Sequence, residues 1–215
     1  MAESFAKHSR SKPVAEPDFP TVTQYASPDL IEAIVYRGHR PGDDPRWSES
    51  GAPDHASYAR WCSHICGMAC LRMALLRRDG HAPSLFDLLD GARAYGAYTE
   101  DADTAAIRGL IYAPFAAYAR AEHGLTAEVH GRLPAGHLAE LLDAGQVVTA
   151  SVHKEIRRPD RPAPGRGGHL VLVTGHQNGT VRFRNPSGHA PSTRDAELPL
   201  DVFATFYAER GIALG

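Results

Sequence analysis

Residues 169–185, HLVLVTGHQNGTVRFRN, hold two short runs, His169–His176 and Thr180–Arg184, with Gln177-Asn178-Gly179 between them. β-Branched and alternating residues on both sides of an Asn-Gly turn predict a β-hairpin. Upstream, Gln146–His153 (QVVTASVH) has the same character and predicts a further strand. Between that strand and the hairpin lies Ile156–Gly168, IRRPDRPAPGRGG, too rich in Pro, Gly and Arg for regular structure. It reads either as a solvated connector or as a flap beside a site, where its arginines could meet a substrate carboxylate.

The first half of the chain has a different period. In WCSHICGMACLRMAL (61–75) and just beyond, Ile65, Cys66, Ala69, Cys70, Met73 and Leu76 recur at the three-and-four spacing of one buried helical face. Ser63 is placed to cap that helix, Arg77 and Arg78 suit its C-terminal end, and Gly80 suits its exit. Further helices are predicted over Ser84–Tyr95, Pro114–His123, Gly136–Asp143 and Pro199–Arg210. Arg40–Ser57 reads as a polar surface loop. Helices first and an antiparallel sheet later make an α+β arrangement.

A chain of 215 residues with 43% hydrophobic content suits one globular domain, taken as 21–215, behind a flexible N-terminal tail over 1–20. A net charge of −2 gives no electrostatic reason to expect nucleic acid or a membrane surface as partner. The first twenty residues carry charges and prolines instead of a signal peptide's apolar core, and no run is long enough to span a bilayer. A cytoplasmic location is therefore expected, and there Cys62, Cys66 and Cys70 would stay free thiols.

Those three cysteines are spaced by four and are the only ones in the chain. A metal site is not expected, because the thiols spread over about 12 Å of helix and His64 falls off the Cys66 face. Core packing suits Cys70 and Cys62. Cys66 differs: behind a cap at Ser63 it lies in the first helical turn, where unpaired N–H groups and the dipole's positive end lower a thiol's pKa. Gly67 beside it leaves room for a close approach. A thiolate nucleophile needs a base and an orienting group. His169 enters its strand directly after Gly167-Gly168, and Asn185 ends the next strand sixteen positions later. Antiparallel pairing can bring the two together, although a structural histidine and a turn-forming asparagine are the plain alternatives.

Cys-Gly-x-Ala-Cys-Leu at a helix start, then GGHLVLVTG, then Asn-Pro-Ser-Gly, together resemble the bacteriocin-processing cysteine peptidases, the papain-like family of double-glycine leader peptidases and their stand-alone relatives. The resemblance runs from about Tyr58 to Gly188. It implies a papain-like fold in which the helical part carrying the cysteine packs on a C-terminal antiparallel sheet. It also implies Cys66 as nucleophile, His169 as general base and Asn185 as orienting residue, where the family more often has Asp. The activity implied is cleavage of a peptide or amide bond through a thioester acyl-enzyme, in the maturation of a peptide natural product, with no cofactor and a peptide or amide substrate as partner.

One departure concerns the oxyanion. The family usually carries a Gln about six residues before the nucleophile, and here that position is Arg60, followed by Trp61. Arg60, Trp61 and Gln24 are the candidate replacements, with Gly67 and Gly168 as further substrate contacts. An amide-forming acyltransferase and a catalytically silent peptide-binding module are the alternatives.

Overall fold

The computed structural model describes residues 19–215. Of the expected tail only Phe19 and Pro20 fall within it, and residues 1–18 lie outside the described residues. In chain order the helices are α1 (Ile31–Tyr36), α2 (His55–Trp61), α3 (Cys66–Asp79), α4 (Leu85–Ala94), α5 (Tyr112–His123), α6 (Ala135–Asp143), α7 (Pro191–Arg194) and α8 (Leu200–Phe206). The strands are β1 (Ala127–His130), β2 (Val147–His153), β3 (Gly168–Gln177), β4 (Thr180–Arg184), β5 (Asp195–Pro199) and β6 (Tyr207–Leu214). No helix among the described residues is long and apolar enough to cross a membrane.

The six strands form one antiparallel sheet in the order β1-β6-β2-β3-β4-β5, so the arrangement is α+β. The hairpin forms as its sequence demands: Gln177 pairs with Thr180 across Asn178 and Gly179, whose φ angles of 51° and 76° are both left-handed. Alternation along β3 then sorts the core. Leu170 and Leu172 join the cluster built with α2 to α5, while Val171 and Val173 join the cluster under α6 and α8. Successive residues of β3 thus face opposite layers.

Three elements differ from expectation. The run Pro199–Arg210 is helical only over α8; from Tyr207 it becomes β6, which lies between β1 and β2. Its pairing to β2 fixes it: Val147 stands opposite Leu214 and Ala150 opposite Gly211. Arg40–Ser57 is not an open loop, since short 3₁₀ turns at Pro41–Asp43 and Trp47–Ser50 lead into α2, which is capped by Asp54 accepting from Ser57 N. Helix α3 buries more than one face, with Met68, Leu71 and Ala74 enclosed as well as Ala69, Cys70 and Met73, because it packs on β3 and α4 together.

Gly211 shows how closely β6 and β2 approach. A Cβ there would lie 2.7 Å from the Thr149 carbonyl oxygen and 3.1 Å from Val148 Cγ1. Gly211→Ala is expected to lower stability by about 1–3 kcal/mol through forced strand separation. Urea unfolding checks this, and an unchanged midpoint would show that the strands can part at no cost.

Candidate active site

The site begins with the N-terminus of α3. Its N-cap is Ile65 and not Ser63, and no side chain caps it, so Cys66 is the first helical residue. The leading amide N–H groups of a helix have no intrahelical acceptor, and without a capping oxygen they stay open to a ligand. Cys62 and Cys70 are fully buried, and Cys66 alone of the three thiols is partly exposed.

Burial reverses the expected pKa. It pushes the Cys66 thiol up to about 11, against the backbone N–H groups of Leu170, Gly67 and Cys66 itself, which favour the thiolate. Gly67 is buried, and its missing side chain leaves space that Leu110, Tyr98 and Leu170 already fill.

His169 stands on β3 opposite Val152 and is reached through Gly167 and Gly168, whose φ angles of 80° and 92° suit glycine. His169 Nε2 lies 2.8 Å from Asn185 Oδ1 and 3.0 Å from Ser187 Oγ. The amide orientation of Asn185 follows from a neighbour: Ser187 N–H, which can only donate, points at Oδ1 from 3.1 Å. Nε2 must then carry the proton, so the neutral ring keeps Nδ1 as an acceptor. Burial, offset by the Asn185 bond and reinforced by the nearby Arg157 charge, lowers the His169 pKa to about 4. Both shifts favour the uncharged forms, a thiol and a neutral imidazole.

Cys66 and His169 line one cleft of about 580 Å³ with Ser63, Tyr112, Gly168 and Arg210. His64 lines it too, although its helical position had suggested that it points elsewhere. A second cavity of about 290 Å³ shares Ser63, Gly168 and His169 with the first and adds Gln24, Arg157 and Ser187. The two adjoin at those shared residues, one half of the site on the Cys66 side and one on the Gln24 side.

Gln24 reaches this second half from the N-terminal segment. Its N–H donates to Pro186 O at 2.9 Å and its Nε2 to Cys62 O at 2.9 Å, so it ties the Asn185 turn to the turn before Cys66. Its Oε1 is buried without a partner. The strap that carries it is held at Phe19, whose carbonyl accepts from Arg184 Nε, and at Ala26, whose N–H donates to Tyr58. Arg60 and Trp61 are elsewhere: Arg60 is half exposed and pairs with Glu100, and Trp61 packs edge-on against Tyr98 beneath Arg93. Neither lines the cleft. Spacing from Cys66 had pointed to position 60, but the helical turn before α3 carries that side chain to the surface.

Sequence alone does not single out Ser187, and it marks Arg157 only as one of four loop arginines, with Arg158, Arg161 and Arg166, that either meet a substrate carboxylate or are simply solvated. Ser187 follows Asn185-Pro186 and donates its N–H to the same oxygen that holds His169, a role that the Asn-Pro-Ser turn signals only once the histidine is in place. Arg157 lies at the end of a 3₁₀ turn, Lys154–Arg157, and is 6% exposed, so the start of the 156–168 segment is packed and not a free connector.

No family model matches the chain, and no curated protein sequence does. Among solved structures, a C39-like peptidase from Bacillus anthracis is similar with a TM-score of 0.50 at 14% identity, covering 71% of this chain and 88% of that one. The peptidase domain of Streptococcus ComA, a bi-functional ABC transporter involved in a quorum-sensing pathway, gives 0.48 at 16% identity, over 71% of this chain and 92% of that one. A double-glycine-motif protease from an AMS/PCAT transporter, solved with its leader peptide, gives 0.43 at 18% identity, over 69% and 81%.

Proposed function

We propose that this chain, which has the fold of the bacteriocin-processing papain-like peptidases, is a cysteine peptidase or amidohydrolase acting on a peptide or amide substrate through Cys66, His169 and Asn185. The observation that carries this reading is the geometry at His169: Nε2 lies 2.8 Å from an Asn185 Oδ1 that also accepts from Ser187 N–H, which leaves Nδ1 as the acceptor for the Cys66 proton.

Because thiol and imidazole both favour their uncharged forms, proton transfer accompanies attack. Cys66 Sγ bonds to the substrate carbonyl carbon while its proton passes to His169 Nδ1, and the carbonyl electrons move onto oxygen. The open Cys66 N–H and the Gln24 amide supply donors for that oxyanion. The charged imidazolium is stabilised by Asn185, and it returns the proton to the leaving amine as the C–N bond breaks. Water, deprotonated by His169, then hydrolyses the thioester.

The direct test is acid-quenched mass spectrometry after mixing with a degenerate peptide pool. Cleaved products and an acyl adduct on the peptide containing Cys66 are expected, both absent in Cys66→Ala. If peptides that bind Cys66→Ala leave wild type uncut and without adduct, the chain is a binding module.

Gln24→Ala is expected to lower kcat by about 10²–10³-fold with little change in KM, since the oxyanion forms only in the transition state. A change confined to KM would assign Gln24 to substrate binding instead.

A further inference from the structure

The half of the cleft on the Gln24 side contains a guanidinium, Arg157, that forms no ion pair among the described residues. Arg157 is 6% exposed, and its Nη1 is buried with no hydrogen-bond partner. Its Nε donates to Lys154 O at 2.7 Å, so a main-chain carbonyl and not a carboxylate fixes the guanidinium in place. Its guanidinium carbon lies 5.7 Å over the Tyr36 ring, a weak cation–π contact that still leaves Nη1 without an acceptor. Glu155 lines the same cavity but receives the Tyr36 hydroxyl at 3.5 Å and forms no ion pair with Arg157. Lys154 on the rim is a further cation, and Arg158 lies over the face of Tyr36 at 3.1 Å.

An unpaired buried charge is costly, and a protein keeps one where a ligand of opposite charge restores the lost solvation. Gln24, whose Oε1 is likewise buried without a partner, lines the same cavity, so an unmet cationic donor and an unmet acceptor belong to residues of its wall beside His169. A carboxylate on a short amide-containing chain has both complements: two oxygens for the guanidinium and an N–H for the glutamine.

We infer that Arg157 is a specificity-determining residue that binds a substrate carboxylate on the Gln24 side of Cys66. The substrate class is thereby narrowed to peptides or amides with a free carboxylate close to the scissile bond, such as a chain terminus or an acidic side chain. This rests on Cys66 as the reacting thiol, so the test must separate failure of that reading from failure of the subsite.

The probes are N-iodoacetyl-glycine and N-iodoacetyl-glycinamide, which differ only in carboxylate against amide, with alkylation of each cysteine resolved by peptide mass spectrometry. In wild type the acid is expected to alkylate Cys66 about tenfold faster than the amide at low concentration, the scale of one charge-assisted hydrogen bond. In Arg157→Gln the acid-to-amide ratio is expected to fall to near one, and in Arg157→Lys to stay above it. Using a ratio within each protein cancels the effect of Arg157 on His169 and Cys66 themselves. A ratio near one in wild type overturns the subsite even if neither variant folds, and so does a high ratio retained in a folded Arg157→Gln. If the amide probe alkylates Cys66 no faster than buried Cys62 and Cys70, the peptidase reading fails with it, and that outcome is visible without the acid probe.

Discussion

His169→Ala is expected to lower kcat/KM for peptide cleavage by about 10⁴-fold or more, because the thiol then has neither a proton acceptor nor a proton donor for the leaving amine. The loss should be large because burial holds the Cys66 pKa near 11, so at neutral pH the unassisted thiolate is scarce. Asn185→Ala should fall between, since it leaves the imidazole in place but frees its tautomer. Equal activity in wild type and His169→Ala, measured on any peptide returned by the pool screen, would sink the assignment.

The same histidine gives this prediction a second, activity-independent readout. Burial, with the Arg157 charge adding to it and the Asn185 bond opposing, lowers its pKa from 6.5 to about 4. A buried neutral histidine refuses a proton that the unfolded chain accepts. Stability from this source is therefore complete above the unfolded value of 6.5 and is lost as pH falls towards about 4, below which both states are protonated. The loss is on the order of 3 kcal/mol across that window. Denaturant titrations between pH 7 and pH 4 should show this slope in wild type and a shallower one in His169→Ala, whatever the variant's absolute stability.

Asp44→Ala is expected to be the most damaging substitution outside the cleft. Asp44 is 1% exposed, and four donors converge on its carboxylate: Ser27 N at 2.8 Å, Ser27 Oγ at 2.6 Å, Tyr58 Oη at 2.8 Å and Arg46 N at 3.0 Å. Burial alone would raise its pKa, but the bonds from Ser27, Arg46 and Tyr58 together outweigh it and hold the group below the usual carboxylate range. Removing the acceptor strands the Ser27 and Tyr58 donors in the core, a loss of about 3 kcal/mol or more. For a chain of this size that is a fall of roughly 6–12 °C in Tm. Function should follow, because Ser27 anchors the strap that holds Gln24, so kcat should drop in protein that is still folded at low temperature. Thermal melts and kcat at 10 °C check the two parts, and a Tm within 2 °C of wild type would refute the first.

What was legible in the sequence was local. The hairpin followed from Asn178-Gly179, the existence of α3 and its exit at Gly80, though not its N-cap, from apolar spacing, and the pairing of His169 with Asn185 from their positions on adjacent strands. Each depends on residues close in the chain, where turn chemistry and periodicity act directly. Helix α8 and strand β6 were read as one helix because nothing in LDVFATFYAERGIAL marks the change at Tyr207. The strand is imposed by partners distant in sequence, Ala127 to His130 on one side and β2 on the other.

Sequence alone thus determined the α+β order of elements and the hairpin at Asn178-Gly179, and it singled out a thiol, an imidazole and an amide as the candidates for acyl chemistry. Only the tertiary structure decided that Gln24 and not Arg60 lies beside them, that Arg157 is buried, and that burial favours the uncharged forms of Cys66 and His169. The reason is that desolvation and long-range hydrogen bonding depend on what surrounds a group, and most of what surrounds these groups comes from distant parts of the chain.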